Sequence, residues 1–200
     1  PLMAAGGAAV KLASDINESL NKVEVAFKDN AQGVKDWSDT TLKRFGIARG
    51  TALDMAATYG DMATSMGLNT AQAEEMSKTL VGLAGDLASF KNIGIDIADT
   101  ALKSVFTGET ESLKQLGIVM TQANLQEYAY SQGIKKKIQD MNQAEQTQLR
   151  YNYVLAMTKN AQGDFERTGA GTANQMRVFS ESLKELGATM GQHILPVITP

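Results

Sequence analysis

The chain reads as all-α, an irregular multi-helix bundle of roughly eight helices joined by Gly-containing turns. Three observations predict this. Pro occurs only at positions 1, 196 and 200, so the stretch from Leu2 to Leu195 lacks the strongest helix breaker. Large apolar residues return at steps of three and four in segment after segment, the period of one helix face. No run of Val, Ile or aromatic residues alternates over more than about four positions, so no strand candidate emerges. The hydrophobic share of 43% against a charged share of 20% sustains a packed core, and eighteen Gly supply the punctuation that Pro does not.

The elements follow in order. Residues 1 to about 31 start Ala/Gly-rich and continue as a helix whose buried stripe is Ile16, Leu20, Val23 and Phe27. Gly33 breaks the pattern. A short helix from Lys35 to Phe45 places Trp37, Thr41 and Phe45 on one face, closed by Gly46. A third runs from about Ala48 to Met66 with Ala52, Met55, Tyr59, Met62 and Met66 inward, weakened locally by Gly60. The central helix opens at Asn69, with Gln72 three residues on as a capping box and Gly67 closing the helix before it. Met76, Leu80, Leu83, Leu87 and Phe90 form its stripe, the longest continuous one, and the neighbouring segments each need such a partner. After a turn at Asn92–Ile95, Asp96 caps a helix over Ile97–Phe106. An acidic loop, Thr107–Glu111, leads to a short helix at Ser112–Leu116 closed by Gly117. Thr121 caps a helix to Gln132 with Leu125 and Tyr128 inward, and Gly133 ends it with Ile134 folding back. Lys135–Asp140 continues as charged helix. Asn142 and Glu145 form a second capping box, and that helix runs to about Asn160 through Leu149, Tyr153, Val154 and Met157. The last helix, about Ala173 to Ile194, has the sharpest stripe: Met176, Phe179, Leu183, Leu186, Met190 and Ile194.

Composition excludes several function classes. The formal net charge of −3 favours neither phosphate backbones nor anionic membranes. There is no Cys, hence no disulfide and no Cys-based metal site. No run of eighteen apolar residues is present, and the small, apolar N-terminal stretch lacks the basic start of a signal peptide. The apolar HILPVITP at the other end suggests a piece excised from a longer protein. The chain divides at 33/34, into an N-terminal Ala/Gly-rich helix or linker (1–33) and a helical domain (34–200).

Candidate chemistry is sparse. His193 is the only His, and no Cys, second His or carboxylate stands at helical spacing from it, so it is read as structural rather than as a ligand or base. Glu18-Ser19, Glu111-Ser112 and Glu181-Ser182 each resemble the start of a wall-cleaving motif. A bare dipeptide is a weak signal, and solvated helix faces are the blander reading. Lys135-Lys136-Lys137 has Tyr128, Tyr130, Tyr151 and Tyr153 nearby, but a nucleic-acid site needs a broad basic face. Gly187-Ala188-Thr189-Met190-Gly191, like Gly82 and Gly85, reads as a small-residue surface for close helix packing. Gly169-Ala170-Gly171 has no strand before it and is no phosphate loop. Met55, Met62 and Met66 are read as core rather than as a partner surface. The reading assigns no catalytic, cofactor-binding or metal residue.

Four stretches together resemble a known family. They are SMGLNTAQAEEMSKTLVGLAGDLASFKNI (Ser65–Ile93), GETESLKQLGIVMTQANLQEYAYSQGI (Gly108–Ile134), LRYNYVLAMTKNAQGDFERT (Leu149–Thr168) and ANQMRVFSESLKELGATMGQHILP (Ala173–Pro196). In this order they look like the helical region of bacteriophage and prophage tail tape measure proteins. The resemblance implies a largely helical structural protein that sets tail length and nucleates the tail tube. It implies the tail tube protein, tail assembly chaperones and other copies of itself as partners, and the host envelope during DNA ejection. It implies a place in the tail lumen of the virion after synthesis in the bacterial cytoplasm. The residues themselves lead to the expectation of no enzymatic activity, no cofactor and no specific nucleic-acid binding. The alternative within the same virion component is a muralytic or membrane-active module. The many Gly breaks favour a folded domain over one uninterrupted rod.

Overall fold

The computed structural model describes the backbone of residues 2–198 and the side chains of residues 7–193. The described residues are 79% helical with no strand, so the all-α multi-helix architecture stands. The segments are α1 (Leu2–Phe27), α2 (Ala31–Ser38), α3 (Thr41–Phe45), α4 (Arg49–Ser65), α5 (Thr70–Lys91), α6 (Ile95–Leu102), α7 (Ser104–Thr107), α8 (Gln122–Ser131), α9 (Gln143–Met157), α10 (Asp164–Thr168) and α11 (Thr172–Ile198). Short 3-10 turns lie at Lys28–Asn30, Ser112–Leu116 and Ile138–Asp140.

The boundaries that side-chain chemistry sets appear as expected. Asn69 Oδ1 accepts the Gln72 N–H at 2.9 Å while the Gln72 side chain accepts the Asn69 N–H at 3.2 Å. Asn142 and Glu145 repeat the reciprocal pair at 2.9 and 2.8 Å. Thr121 Oγ1 accepts from the Asn124 N–H at 3.1 Å. Gly133 takes φ +78°, and the Ile134 N–H then reaches back to the Ala129 carbonyl at 2.9 Å, a left-handed closure that a side chain would strain.

α5 is the hub, but not through one stripe. Every residue from Leu80 to Ala88 is buried, so this helix is covered all round for more than two turns. Leu80, Leu83 and Leu87 fill one side. Gly82 and Gly85 open another to Phe45, whose ring tip lies 2.9 Å from where a Gly82 Cβ would sit and whose Cβ lies 2.8 Å from where one on Gly85 would sit. α4, α6 and α10 pack directly on α5. Tyr59 of α4, fully buried, stacks on Phe106 of α7 at 5.7 Å and donates its hydroxyl to the Asp99 carbonyl at 3.4 Å. Arg150 of α9 donates to the Val105 and Phe106 carbonyls at 2.7 and 3.1 Å, satisfying α7 backbone groups. α1 lies along both α4 and α11.

Several expectations need correction. The break near the first helix falls at Lys28–Asn30, with Lys28 at φ +50°, and not at Gly33. Gly33 lies inside α2, where its missing side chain admits Glu74 of α5 to 2.7 Å of the would-be Cβ. The Lys35–Phe45 helix is two pieces, α2 and α3, divided at Asp39–Thr40. Asp96 is not a cap: α6 begins at Ile95 behind Gly94, and Asp96 sits in the first turn, where its charge faces the positive helix end. The Ile97–Phe106 helix is interrupted at Lys103, and Lys135–Lys137 is a solvated loop rather than helix. Phe90 and Met157 are about half exposed, each near the last turn of its helix where the covering neighbours have ended. The largest departure is α11, whose apolar stripe from Met176 to Met190 faces outward.

Candidate functional site

α11 carries two periodic faces. Asn174, Arg177, Glu181, Lys184, Ala188 and Gly191 recur at three, four, three, four and three, and Asn174, Glu181, Ala188 and Gly191 are buried against the body. The opposite face holds Met176, Phe179, Leu183, Leu186 and Met190, exposed by 53% (Leu183) to 62% (Met176). The predicted Ile194 lies outside the described side chains. A helix normally buries its greasy side, so the reason for the inversion must lie in what holds the polar side inward.

It lies in a hydrogen-bonded joint. Asp86 of α5 accepts the Gly163 N–H at 2.7 Å and the Phe165 N–H at 3.1 Å, capping the start of α10. Ser89, one turn on, donates to Asp164 at 2.6 Å and accepts from the Asn174 amide at 2.8 Å. The Arg177 guanidinium donates to the Ala88 carbonyl in the last turn of α5 and to the Ile93 carbonyl just past it, at 2.9 and 3.1 Å. Glu181 accepts the N–H of buried Ala48 at 3.1 Å and Glu185 accepts that of Arg49 at 2.8 Å, so both carboxylates sit on the N-terminal end of α4. Lys184 pairs with Glu181 at 2.6 Å. Burial drives the Asp86 carboxyl above its ordinary range despite the two backbone donors, and drives Arg177 down, with Glu181 opposing.

Below the joint, contact is by size. A Cβ on Gly187 would stand 2.8 Å from Leu12, and one on Gly191 would collide with the Ala9 backbone. Ala9, Leu12 and Ala13 of α1 and the small-residue element of α11 are thus two halves of one close helix–helix contact, the kind of packing expected of Gly187–Gly191.

The remaining candidates scatter. His193 is exposed. Glu18 pairs with Lys22 at 2.9 Å on the outside of α1, and the Ser19 hydroxyl donates to its own helix at Asp15. Glu111 is exposed and pairs with Lys114 at 2.8 Å, while Ser112 bonds Ser104. Glu181 belongs to the joint. The three Glu-Ser pairs therefore sit at separate places. An open groove of about 340 Å³ between α1, α4 and α11 brings Asp15, Glu18 and Asp54 near Lys22 and Lys184, a mixed-charge surface. Lys136 pairs with Glu145 at 2.6 Å. Tyr128 and Tyr153 pack edge to face at 5.4 Å and Tyr151 is buried, so three of the four tyrosines near the lysines build core. Met55 is buried and Met62 and Met66 line the same core. Among the described residues no group of three His, Asp or Glu has metal-binding geometry, and no helix is long and apolar enough to cross a membrane.

Residue-by-residue reading missed Asp86, Ser89, Asn174 and Arg177. A signal existed in α11, since its polar residues keep the same period as the apolar ones. Nothing in the sequence said which of the two faces would find the body. No family model, curated protein or solved structure matches the chain.

Proposed function

We propose that the chain is a structural assembly domain of a phage tail tape measure protein. In this reading it acts in the tail lumen, where it helps set tail length and nucleate the tube, and later takes part in DNA ejection. Its partners are the tail tube protein, the assembly chaperones, other copies of itself and, during ejection, the host envelope. It performs no chemistry and holds no cofactor.

One observation carries the proposal beyond the resemblance. Three of the phrases that look like tape measure sequence meet at a single joint. Asp86 and Ser89 of GDLASF, Gly163–Phe165 of NAQGDF, and Asn174 and Arg177 of ANQMR bond to one another. Residues that carry a family likeness and bond to one another, to backbone and to the neighbouring Thr168 and Arg167 are organising a shape. The shape they organise presents a long apolar helix face to the outside, which suits assembly with other helices.

Electron microscopy of virions from the parent phage with residues 34–200 deleted in frame tests this. Loss of tail assembly is expected. Tails that form and are merely shorter, by about 1.5 Å per deleted helical residue, would make the segment a passive ruler. Unchanged tails would remove it from tail assembly altogether. Clearing of purified cell wall that disappears on Glu111→Gln would transfer the reading to a muralytic module.

A further inference from the structure

We infer that the furrow along the outside of α1 and α4 docks a basic amphipathic helix of another protein. This surface lies apart from the joint of α5, α10 and α11, and its partner does not depend on the tail reading.

The two helices run side by side in the same direction. Ile16 packs where Gly50 has no side chain, and Phe27 where Gly60 has none. Their solvent side holds a furrow in two sections, of about 340 and 690 Å³, that share Glu18 and Lys22. From Asp15 to Ala26 it follows about 16 Å of α1, three turns of helix. Ala26 and Ala57, both buried, floor the larger section, with Met62 half-buried beside them. Val25 lines the same section and is 76% exposed, more than any of the five outward residues of α11. Small side chains on the floor and a large one at the edge leave room for bulky apolar side chains from outside, the arrangement of helix-in-groove recognition.

Charge decides what fits there. Along α1 and α4, Asp15, Glu18, Asp54 and Asp61 line the furrow against a single amine, Lys22. Lys22 bonds Glu18 at 2.9 Å, and that carboxylate, with Asp54 and Asp15 further off, holds the ammonium above its ordinary range. Among the described residues, Asp15, Asp54 and Asp61 have no ion-pair partner. At the α11 end Lys184 is held by Glu181, and Glu185 by the Arg49 N–H, so the excess of negative charge is not made up there. A helix that brings lysines or arginines to both edges relieves this crowding, while an acidic helix adds to it. The aliphatic stems of those same side chains cover the apolar floor. A second copy of this chain does not supply such a helix: its Lys135–Lys137 run is a loop, and its Arg177 and Lys184 are engaged with its own body. An anionic membrane is repelled by the same carboxylates.

The probe is a synthetic peptide of about fourteen residues, four helical turns, with leucines at steps of three and four and lysines elsewhere. Isothermal titration calorimetry with the whole chain is expected to show saturable one-to-one binding that weakens as salt rises. Asp61→Lys and Asp54→Lys reverse the charge in the two sections of the furrow, and Val25→Ser removes its exposed apolar edge. All three side chains are exposed, so an unchanged helical circular dichroism spectrum is expected. Each change is expected to weaken binding about five-fold or more. Glu111→Lys, at an exposed carboxylate outside the furrow, is expected to leave it unchanged. A wild type that does not bind the peptide overturns the inference. Equal binding of the same peptide with glutamates for lysines overturns it by removing charge selection, and equal binding of an all-lysine peptide by removing the apolar floor. Binding that survives the furrow variants, or that Glu111→Lys weakens as much as they do, places the contact elsewhere and also overturns it.

Discussion

Glu181→Ala tests whether the inward polar face of α11 holds the fold together. Glu181 is 5% exposed, and its carboxylate accepts the N–H of Ala48, which is itself 2% exposed. It also lies 3.4 Å from the Thr51 hydroxyl, which can donate to it. Removing the acceptor strands a buried backbone donor, about 1–3 kcal/mol. It also removes a negative charge from the N-terminal end of α4, worth about 0.3–1 kcal/mol. The Lys184 pair adds little, because that side chain is half exposed. The expected loss is about 2–3 kcal/mol. Glu181→Gln keeps an acceptor oxygen and loses only the charge, so about 1 kcal/mol or less is expected. Urea unfolding followed by circular dichroism and by the single Trp, Trp37, gives both values as midpoint shifts at unchanged slope. If Glu181→Ala falls within about 0.5 kcal/mol of wild type, the ordinary surface range, the joint is not what docks α11. Equal losses for Ala and Gln would also refute the reasoning, because the acceptor would then not matter.

Two further substitutions test other parts of the argument. Gly60→Ala raises helix propensity by about 1 kcal/mol, yet its Cβ would collide with the buried Phe27 ring; a net loss of about 1–3 kcal/mol by urea midpoint is expected, and a gain would mean that α1 and α4 can part freely. Asp86 has its folded pKa raised by burial, so between the ordinary carboxylate range and that raised value the folded chain holds more proton than the unfolded one. Its ionisation therefore costs stability as pH rises through this window, and wild type should gain on Asp86→Asn as pH falls through it. Paired urea titrations from mildly acid to neutral pH read the difference, and parallel curves would refute the assignment.

Local chemistry was legible because it acts at short range. The capping pairs Asn69/Gln72 and Asn142/Glu145 and the left-handed closure at Gly133 depend on residues within one turn, and each sits where the sequence put it. Helix type was equally clear, since period-three-and-four spacing without Pro leaves no other regular structure. Glycine was legible only in part. Gly67 and Gly133 act on backbone conformation, which is local. Gly33, Gly60 and Gly85 act by admitting Glu74, Phe27 and Phe45, which are distant in sequence.

The sequence by itself determined an all-helical chain, most helix boundaries, and two opposed periodic faces on the last helix. Only the tertiary structure decided which face turned inward. An amphipathic pattern specifies that a helix has two unlike sides, but the body presents to α11 the free N–H groups of Ala48 and Arg49 at the start of α4 and the carbonyls of Ala88 and Ile93 at and just past the end of α5. These hydrogen bonds, with the close Ala/Gly contact to α1, fix its orientation and leave Met176 to Met190 facing out. Burying a polar group without a partner is more costly than leaving an apolar one in water, so the N–H groups at the start of α4, and not the greasiest residues of the helix, set the outcome.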